Sequence, residues 1–158
     1  MRLAVGYRPI EMYDKALRSA ANMLARREHS VFELTRKLQQ RDIPPDVIDK
    51  VIAQLVADRL LSNERYAESY VRMRSIKGYG PVRIRMEMQE RGVEDIYIEE
   101  YLDGAEVDWF ELAREVRERK FGEGSPEAFE QRAKQMRFLQ YRGFSHAHLN
   151  AALKGLDN

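Results

Sequence analysis

Apolar residues recur every three or four positions along most of this chain, the spacing that places them on one face of an α-helix. Val31, Leu34 and Leu38 form one such stripe, and Ile84 forms another with Met88. Sustained alternation of apolar and polar residues, which is typical of a β-strand, is almost absent. The pattern therefore predicts an all-α fold.

Helix-start signals divide the periodic stretches. Ser30 followed by Glu33 has the spacing of a capping box, in which each side chain accepts a hydrogen bond from the other residue's backbone N–H. Pro45 and Pro81 suit a first helical turn, where the missing N–H costs nothing. Serines are expected at three further N-caps, Ser62, Ser125 and Ser145. The predicted helices span approximately 13–27, 30–41, 45–58, 63–76, 81–91, 95–103, 108–121, 126–142 and 146–154.

These helices fall into three sequence repeats, which align on arginines 50 and 51 residues apart, Arg41, Arg91 and Arg142. Apolar residues occupy equivalent positions around each arginine: Leu38, Met88 and Leu139; Ile43, Val93 and Phe144; Ile48, Ile98 and Leu149; Ile52, Leu102 and Leu153. Because repeats of this kind contact mainly their neighbours, we expect three tandem three-helix modules that form an elongated, curved solenoid. The predicted organisation is an N-terminal arm (1–12) and modules over 13–60, 61–106 and 107–158.

Each middle helix ends in a residue that is expected to take a left-handed backbone conformation. Gly92 and Gly143 suit that position, and Asp42 in the first repeat is less comfortable there. The arginine directly before each of these residues favours the negative end of the helix dipole. A structural role and a direct contact with a partner therefore both remain open for these arginines.

Composition limits the classes of function. The formal net charge is +1, so overall charge gives no argument for nucleic acid, although the ends are basic (+3 over 1–61 and +2 over 109–158) and the middle is acidic (−4 over 62–108). The absence of cysteine excludes disulfides, thiolate nucleophiles and cysteine-bound metals. No apolar stretch approaches the roughly 20 residues that span a bilayer, and no signal peptide is visible. We expect a soluble, cytoplasmic protein.

Catalytic groups are sparse. His146 and His148 lie on different faces of a predicted helix, and His29 precedes a capping serine, so the histidines make a poor metal site. Carboxylates alternate with arginines at the spacing of solvated helix pairs. We therefore predict no enzymatic activity, no cofactor and no metal.

The glycine-containing stretch "KGYGPVRIRMEMQERG" (77–92) resembles a phosphate-binding loop only superficially. It lacks the GxxxxGK[ST] and GxGxxG spacings and a preceding strand. Gly80 as N-cap and Pro81 at the first helical position instead indicate a turn into a helix.

Basic residues are the remaining candidates for a functional site. A group of five lies within 14 residues around a predicted helix junction with Tyr79 at its centre: Arg72, Arg74, Lys77, Arg83 and Arg85. This cluster suits either phosphates or acidic side chains, with Tyr79 available for stacking, although solvated charge explains any single member. The full set of candidate partner-binding residues is Arg26, Arg27, Arg72, Arg74, Lys77, Tyr79, Arg83, Arg85, Arg91, Arg117, Arg137 and Arg142.

Four segments resemble the RecX regulatory proteins of bacteria: "ARREHSVFELTRKL" (25–38), "ERYAESYV" (64–71), "GYGPVRIRMEM" (78–88) and "RFLQYRGF" (137–144). Their order and spacing agree with the family from about residue 13 to 154. Ser62 and Asn63 depart from the family, which usually has an acidic pair there. The resemblance implies tandem three-helix modules.

The same resemblance implies a function. RecX-like proteins bind the RecA recombinase, chiefly its filament on single-stranded DNA, and suppress filament growth, ATPase, strand-exchange and coprotease activities. They thereby modulate recombination, DNA repair and the SOS response. We expect a monomer, with a weak direct DNA contact as a further option.

Two alternatives remain at this stage. A nucleic-acid-binding module acting without RecA would use a helix in the major groove, but the predicted third helices are acidic or apolar. A passive scaffold is compatible with any helical repeat.

Overall fold

The structure, a computed structural model, describes residues 8–104 and 106–154. Within these ranges the chain forms nine α-helices and no β-strand. The helices are α1 (Pro9–Arg26), α2 (Val31–Gln40), α3 (Pro45–Ala57), α4 (Asn63–Ile76), α5 (Pro81–Glu90), α6 (Asp95–Asp103), α7 (Trp109–Phe121), α8 (Phe129–Arg142) and α9 (His146–Lys154). The all-α prediction is confirmed.

Two helix starts differ from the sequence-based expectation. Helix α1 begins at Pro9, four residues before the predicted start, so part of the expected N-terminal arm is helical. Residues 1–7 of that arm lie outside the described residues. Helix α8 begins at Phe129, three residues after the predicted start, and the Ala128 directly before it has an extended backbone (φ −80°, ψ 137°). Ser125 is therefore not the N-cap that we expected.

Other predicted caps are confirmed. Ser30 Oγ accepts a hydrogen bond from the Glu33 N–H at 3.1 Å, and the Glu33 carboxylate accepts one from the Ser30 N–H at 3.2 Å. Ser62 Oγ accepts from the Arg65 N–H at 3.1 Å at the start of α4. These bonds satisfy backbone donors that have no partner inside the helix, so they fix where each helix begins.

The repeat in the sequence corresponds to a repeat in burial. Of the twelve aligned apolar positions, eleven are at most 5% exposed. The remaining one, Ile52, is partly buried against the core that contains Leu34, Leu38 and Val51. Equivalent residues thus fill equivalent places in the three helix triplets, as the sequence spacing predicts.

The left-handed residues after the middle helices are also confirmed. Gly92 and Gly143 have φ of +71° and +97°, and Asp42 has φ of +59°. Arg59, which follows α3, is a second non-glycine residue with positive φ, also +59°. Only glycine adopts this region without a steric penalty on its Cβ, so Asp42 and Arg59 carry local backbone strain.

The described residues form two compact units. The first contains 8–66 and 91–93, and its core joins α1, α2 and α3 through Ala20, Leu38 and Val51. The second contains 67–90 and 94–154 apart from 105, and Leu139 and Leu149 belong to a core formed by α7, α8 and α9. The module boundaries and the curvature expected from the sequence stay predictions. None of the described helices combines the length and apolar character that a membrane crossing requires.

Candidate functional site

Three guanidinium groups surround the ring of Tyr79. The Cζ atoms of Arg74, Arg83 and Arg142 lie 3.7, 4.7 and 5.0 Å from the ring centroid. They come from α4, α5 and the last turn of α8, so residues far apart in sequence meet at one aromatic ring. Each contact is within the range in which a cation is attracted to the electron-rich face of a ring.

Glu87 is the carboxylate that balances part of this charge. Its Oε1 lies 2.9 Å from Arg74 Nη2 and 3.4 Å from Arg83 Nε, and its Oε2 accepts a hydrogen bond from the Tyr70 hydroxyl. Burial disfavours the charged form of Glu87, but the hydrogen bonds from Tyr70 and Arg74 outweigh burial and lower the pKa of its carboxyl group. The Arg74 and Glu87 side chains are only 15% and 13% exposed, so this pair is mainly structural.

A backbone clasp holds the turn before α5 against the turn after α8. The Gly80 N–H donates to the Arg142 carbonyl at 2.8 Å, and the Val82 N–H donates to the Gly143 carbonyl at 2.9 Å. A Cβ at Gly80 would overlap the carbonyl group of Gly143. The sequence indicates only a helix start at Gly80, whereas the structure shows that close backbone approach requires glycine there.

A basic cleft of about 260 Å³ lies beside this clasp. Its cations are Lys77, after the end of α4, Arg119 and Lys120 from α7, and Arg142 from α8. The other residues that line it are Gly78, Val116 and Phe138, so no acidic residue is among the described lining.

The cleft cations lack carboxylate partners. Among the residues that the structure describes, no ion pair joins Lys77, Arg119, Lys120 or Arg142 to Asp or Glu. The ring of Phe138 is instead approached by Arg142 Cζ at 5.3 Å and by Lys120 Nζ at 5.8 Å. Arg142 Nη1 also donates to the Lys77 carbonyl at 3.3 Å, which holds the guanidinium in place. The arrangement suits an anionic ligand with some apolar surface.

Family models match all three helix triplets in chain order. The model for the first three-helix domain of RecX matches residues 16–55, that for the second domain matches 62–102, and that for the third matches 106–153. The chain belongs to the RecX family.

Curated relatives agree with this assignment. The regulatory protein RecX of Pseudomonas savastanoi pv. phaseolicola is 46% identical over 138 residues, which cover 87% of this chain and 89% of that protein. The RecX of Halorhodospira halophila is 45% identical over 145 residues and covers 91% and 90% of the two chains. The crystal structure of RecX from Lactobacillus salivarius superposes with a TM-score of 0.78 over 94% of this chain and 98% of that chain, at 24% identity, and supports the fold.

Within this RecX fold, the predicted patch around Tyr79 divides into separate groups. Arg72 pairs with Glu68 at 3.1 Å, and Arg85 pairs with Asp103 at 3.5 Å, each away from the Tyr79 ring. Arg74 and Arg83 face Tyr79 and Glu87, and Lys77 belongs to the basic cleft. The five basic residues that are close in sequence therefore do not form one continuous contact surface.

The remaining candidates differ in exposure. Arg26 and Arg137 are exposed, and Arg91 is half-buried and has a partner. Arg27 is exposed and pairs with Glu33 at 3.0 Å. Partner contact stays a prediction for these four residues.

Arg117 was predicted to contact a partner, and its position in the structure corrects that prediction. It is fully buried, and its Nη1 donates to the Gly124 carbonyl and to Gln135 Oε1, both at 3.2 Å. A side chain with no exposed surface cannot contact a partner while this fold is intact. Helical phase gives the reason, because Arg117 lies four residues after the buried Ala113 and next to the buried Val116.

Arg119 and Lys120 are the cleft residues that the candidate set omitted. Both are exposed in the last turn of α7. Helical phase places Arg119 away from the buried Ala113, but Lys120 follows Ala113 by seven residues and lies on the same side of the helix as Arg117, so phase alone does not indicate its exposure. Their proximity to Lys77 and Arg142 depends on tertiary packing and was not visible in the sequence.

Proposed function

We propose that this RecX-family protein binds the RecA filament on single-stranded DNA and suppresses its growth, ATPase, strand-exchange and coprotease activities. The observation that carries the proposal is the match to all three RecX domains in order, with curated relatives covered over about nine-tenths of their length. Through RecA, the protein would modulate recombination, DNA repair and the SOS response in the cytoplasm.

Tandem modules suit a polymeric target. Several weak contacts, each from one module, add through effective concentration when the target repeats. Exposed cations occur in different parts of the chain, with Arg26 in α1, Lys77 after α4 and Arg137 in α8. A protein that contacts more than one position on a filament would obstruct the addition of further RecA subunits.

A binding role rather than catalysis fits the described side chains. His29 is buried, with Nδ1 3.0 Å from the Arg27 carbonyl oxygen, and His148 Nδ1 lies 2.8 Å from Ser145 Oγ. Within residues 8–104 and 106–154, no three metal-ligating side chains come close enough to hold an ion. We propose that the protein acts without cofactor or metal, and that it is a monomer.

A helix inserted into a DNA major groove is disfavoured as an alternative function. Helix α6, the third helix of its triplet, exposes Asp95, Glu99, Glu100 and Asp103. Phosphates on both sides of a groove would repel this acidic surface.

RecA ATPase on single-stranded DNA, titrated with this protein, tests the proposal. We expect inhibition at well below one molecule per RecA, because blocked subunit addition affects whole filaments. The filaments are formed before the protein is added, so that competition for bare DNA does not mimic inhibition. An unchanged rate at equimolar protein, with no binding to the filament in co-sedimentation, would refute the proposal.

A further inference from the structure

The basic cleft gathers unbalanced charge in the second unit. Lys77, Arg119, Lys120 and Arg142 line one recess of about 260 Å³ without an acidic neighbour among its described lining. Arg72 and Arg85, by contrast, are paired with Glu68 and Asp103. Like charges gathered in a recess repel one another, so an anion bound in the cleft would reduce this electrostatic repulsion.

We propose that this cleft binds the sugar–phosphate backbone of single-stranded nucleic acid, with a base stacked on Tyr141. The Tyr141 side chain is 76% exposed and follows Phe138 by three residues on α8, so both rings lie near the same helix face as the cleft. Arg83 Cζ lies 5.3 Å from the Tyr141 ring, and Arg83 Nη1 donates to the Tyr141 carbonyl at 3.3 Å. The ring is thereby held beside Arg83, which shares the Tyr79 ring with the cleft residue Arg142.

Phosphate is favoured over the carboxylates of an acidic protein segment. The two parallel hydrogen bonds from one arginine side chain are enough to bind a carboxylate. Four cations in one recess instead match the several oxygens and closely spaced charges of a phosphodiester chain. An exposed aromatic ring next to such cations adds the stacking surface that nucleic-acid-binding proteins use for bases. Acidic side chains have no planar group that would use Tyr141.

A single strand is favoured over a duplex for geometric reasons. The cations line a concave recess instead of a protruding helix, and a duplex keeps its bases paired and stacked inside. Only an unpaired strand can place a phosphate in the cleft and a base on Tyr141 together. Cations that contact phosphates and a ring that stacks on any base imply binding that depends little on base identity.

Fluorescence anisotropy of a labelled oligothymidylate, with the purified protein alone at low salt, tests this site. Wild-type protein should bind, and the logarithm of its affinity should fall linearly with the logarithm of salt concentration. The variant K77E/R119E/K120E should bind at least tenfold more weakly, with a salt slope smaller by about 2 because three cations are lost. Tyr141→Ala should weaken binding about tenfold with an unchanged salt slope.

A control variant separates local charge from net charge. K15E/R18E/K50E changes the net charge by the same amount at exposed residues of the first unit, and it should bind the oligonucleotide within about threefold of wild type if the cleft is the site. Circular dichroism melting of each variant identifies loss of binding that comes from unfolding. Tyr141→Phe is a conservative substitution that keeps the aromatic ring. It provides a second test and should bind the oligonucleotide like wild type.

Three outcomes would overturn the inference. The first is equal weakening by the cleft variant and the control variant. The second is equal competition by polyglutamate and unlabelled oligothymidylate, which would assign the cleft to an acidic protein segment. The third is equal affinity for duplex DNA with no effect of Tyr141→Ala. The measurement contains no RecA, so its failure would leave the proposed RecA function untouched.

Discussion

The Gly80 N–H donates a hydrogen bond to the Arg142 carbonyl across 62 positions of sequence, at 2.8 Å. This bond joins the turn between α4 and α5 to the end of α8 within the second unit. The same turns carry Tyr79, Lys77 and Arg142, so one backbone contact positions both the Tyr79 cluster and the basic cleft. The clasp therefore supports both parts of the candidate site.

Gly80→Ala is expected to destabilise the protein by about 2–3 kcal/mol, because its Cβ would overlap the Gly143 carbonyl and the backbone would have to move. Pro81→Ala, at the next residue, is the matched control and should cost about 1 kcal/mol or less, since it only restores a free N–H at the helix start. Urea unfolding followed by circular dichroism measures both. Equal stabilities of the two variants would contradict the clasp.

Glu87→Gln should lower the free energy of unfolding by about 2 kcal/mol, because the largely buried Arg74 would lose its charged partner. Glu90→Gln on the exposed side of α5 is the control and should change stability by less than about 0.5 kcal/mol. The pKa of Glu87 is lowered in the folded state, so its contribution is present above the ordinary carboxyl pKa and is lost as pH falls through the lowered value.

Melting temperatures between pH 6 and pH 3 check this dependence. Wild-type protein should lose stability more steeply than Glu87→Gln, because only the wild type has this carboxylate to protonate. Parallel curves for the two proteins would show that Glu87 does not carry the effect.

His29 should make stability fall as the solution becomes mildly acidic. Burial lowers the pKa of its imidazole, and the ring is flanked by Lys37 Nζ at 2.8 Å from Nε2 and by the Arg27 carbonyl oxygen at 3.0 Å from Nδ1. The contact with the Arg27 carbonyl opposes the effect of burial on this pKa, as does the charge of Glu33, whereas the charges of Arg27 and Lys37 lower the pKa further. A lowered folded pKa means that the unfolded state binds the proton more tightly, so stability is present above the ordinary histidine pKa and declines below it.

Chemical denaturation at pH 7.5 and pH 5.5 checks this expectation. His29→Gln should lose stability at both values through its altered packing, but its difference between the two values should be smaller than that of wild type. The same change at the exposed His146 serves as control and should leave the difference unchanged. His148, whose pKa burial also lowers, would supply part of the dependence that remains in His29→Gln. An undiminished pH difference in His29→Gln would refute the role of His29.

Asp42→Gly should stabilise the protein by about 0.5–1 kcal/mol, because Asp42 has a φ of +59° where the equivalent residues of the other repeats are glycine. Gln40→Gly, two residues earlier at the last residue of α2, should have the opposite sign, with a cost below about 1 kcal/mol. Thermal unfolding of both variants measures the difference. A destabilising Asp42→Gly would show that the aspartate side chain compensates for its backbone.

Most of the fold could be predicted from the sequence, because it depends on local periodicity. The stripe of Leu34 and Leu38, and the caps at Ser30 and Ser62, are interactions within a few residues of each other. The start of α8 was wrong because Ser125 followed by Pro126 has the form of an N-cap and a first helical residue, whereas the helix begins only after the extended Ala128.

The candidate site was less predictable, because it is assembled from distant segments. Tyr79 was correctly placed among arginines, but Arg142 could not be assigned to that ring from a position 63 residues away. Arg117 was predicted as a contact residue although its helical phase assigns it to the interior. Local charge density identifies basic residues, but tertiary packing decides which of them remain unpaired, as Lys120 does.

The growth of RecA filaments on long single-stranded DNA is the measurement that tests the proposed function most directly. Labelled RecA is allowed to extend existing filaments while this protein is added at substoichiometric amounts, and filament length is followed with time. We expect that extension stops, and that K77E/R119E/K120E requires at least tenfold more protein for the same effect, whereas K15E/R18E/K50E acts like wild type. Filaments that lengthen at the uninhibited rate in the presence of equimolar wild-type protein would contradict the proposed function.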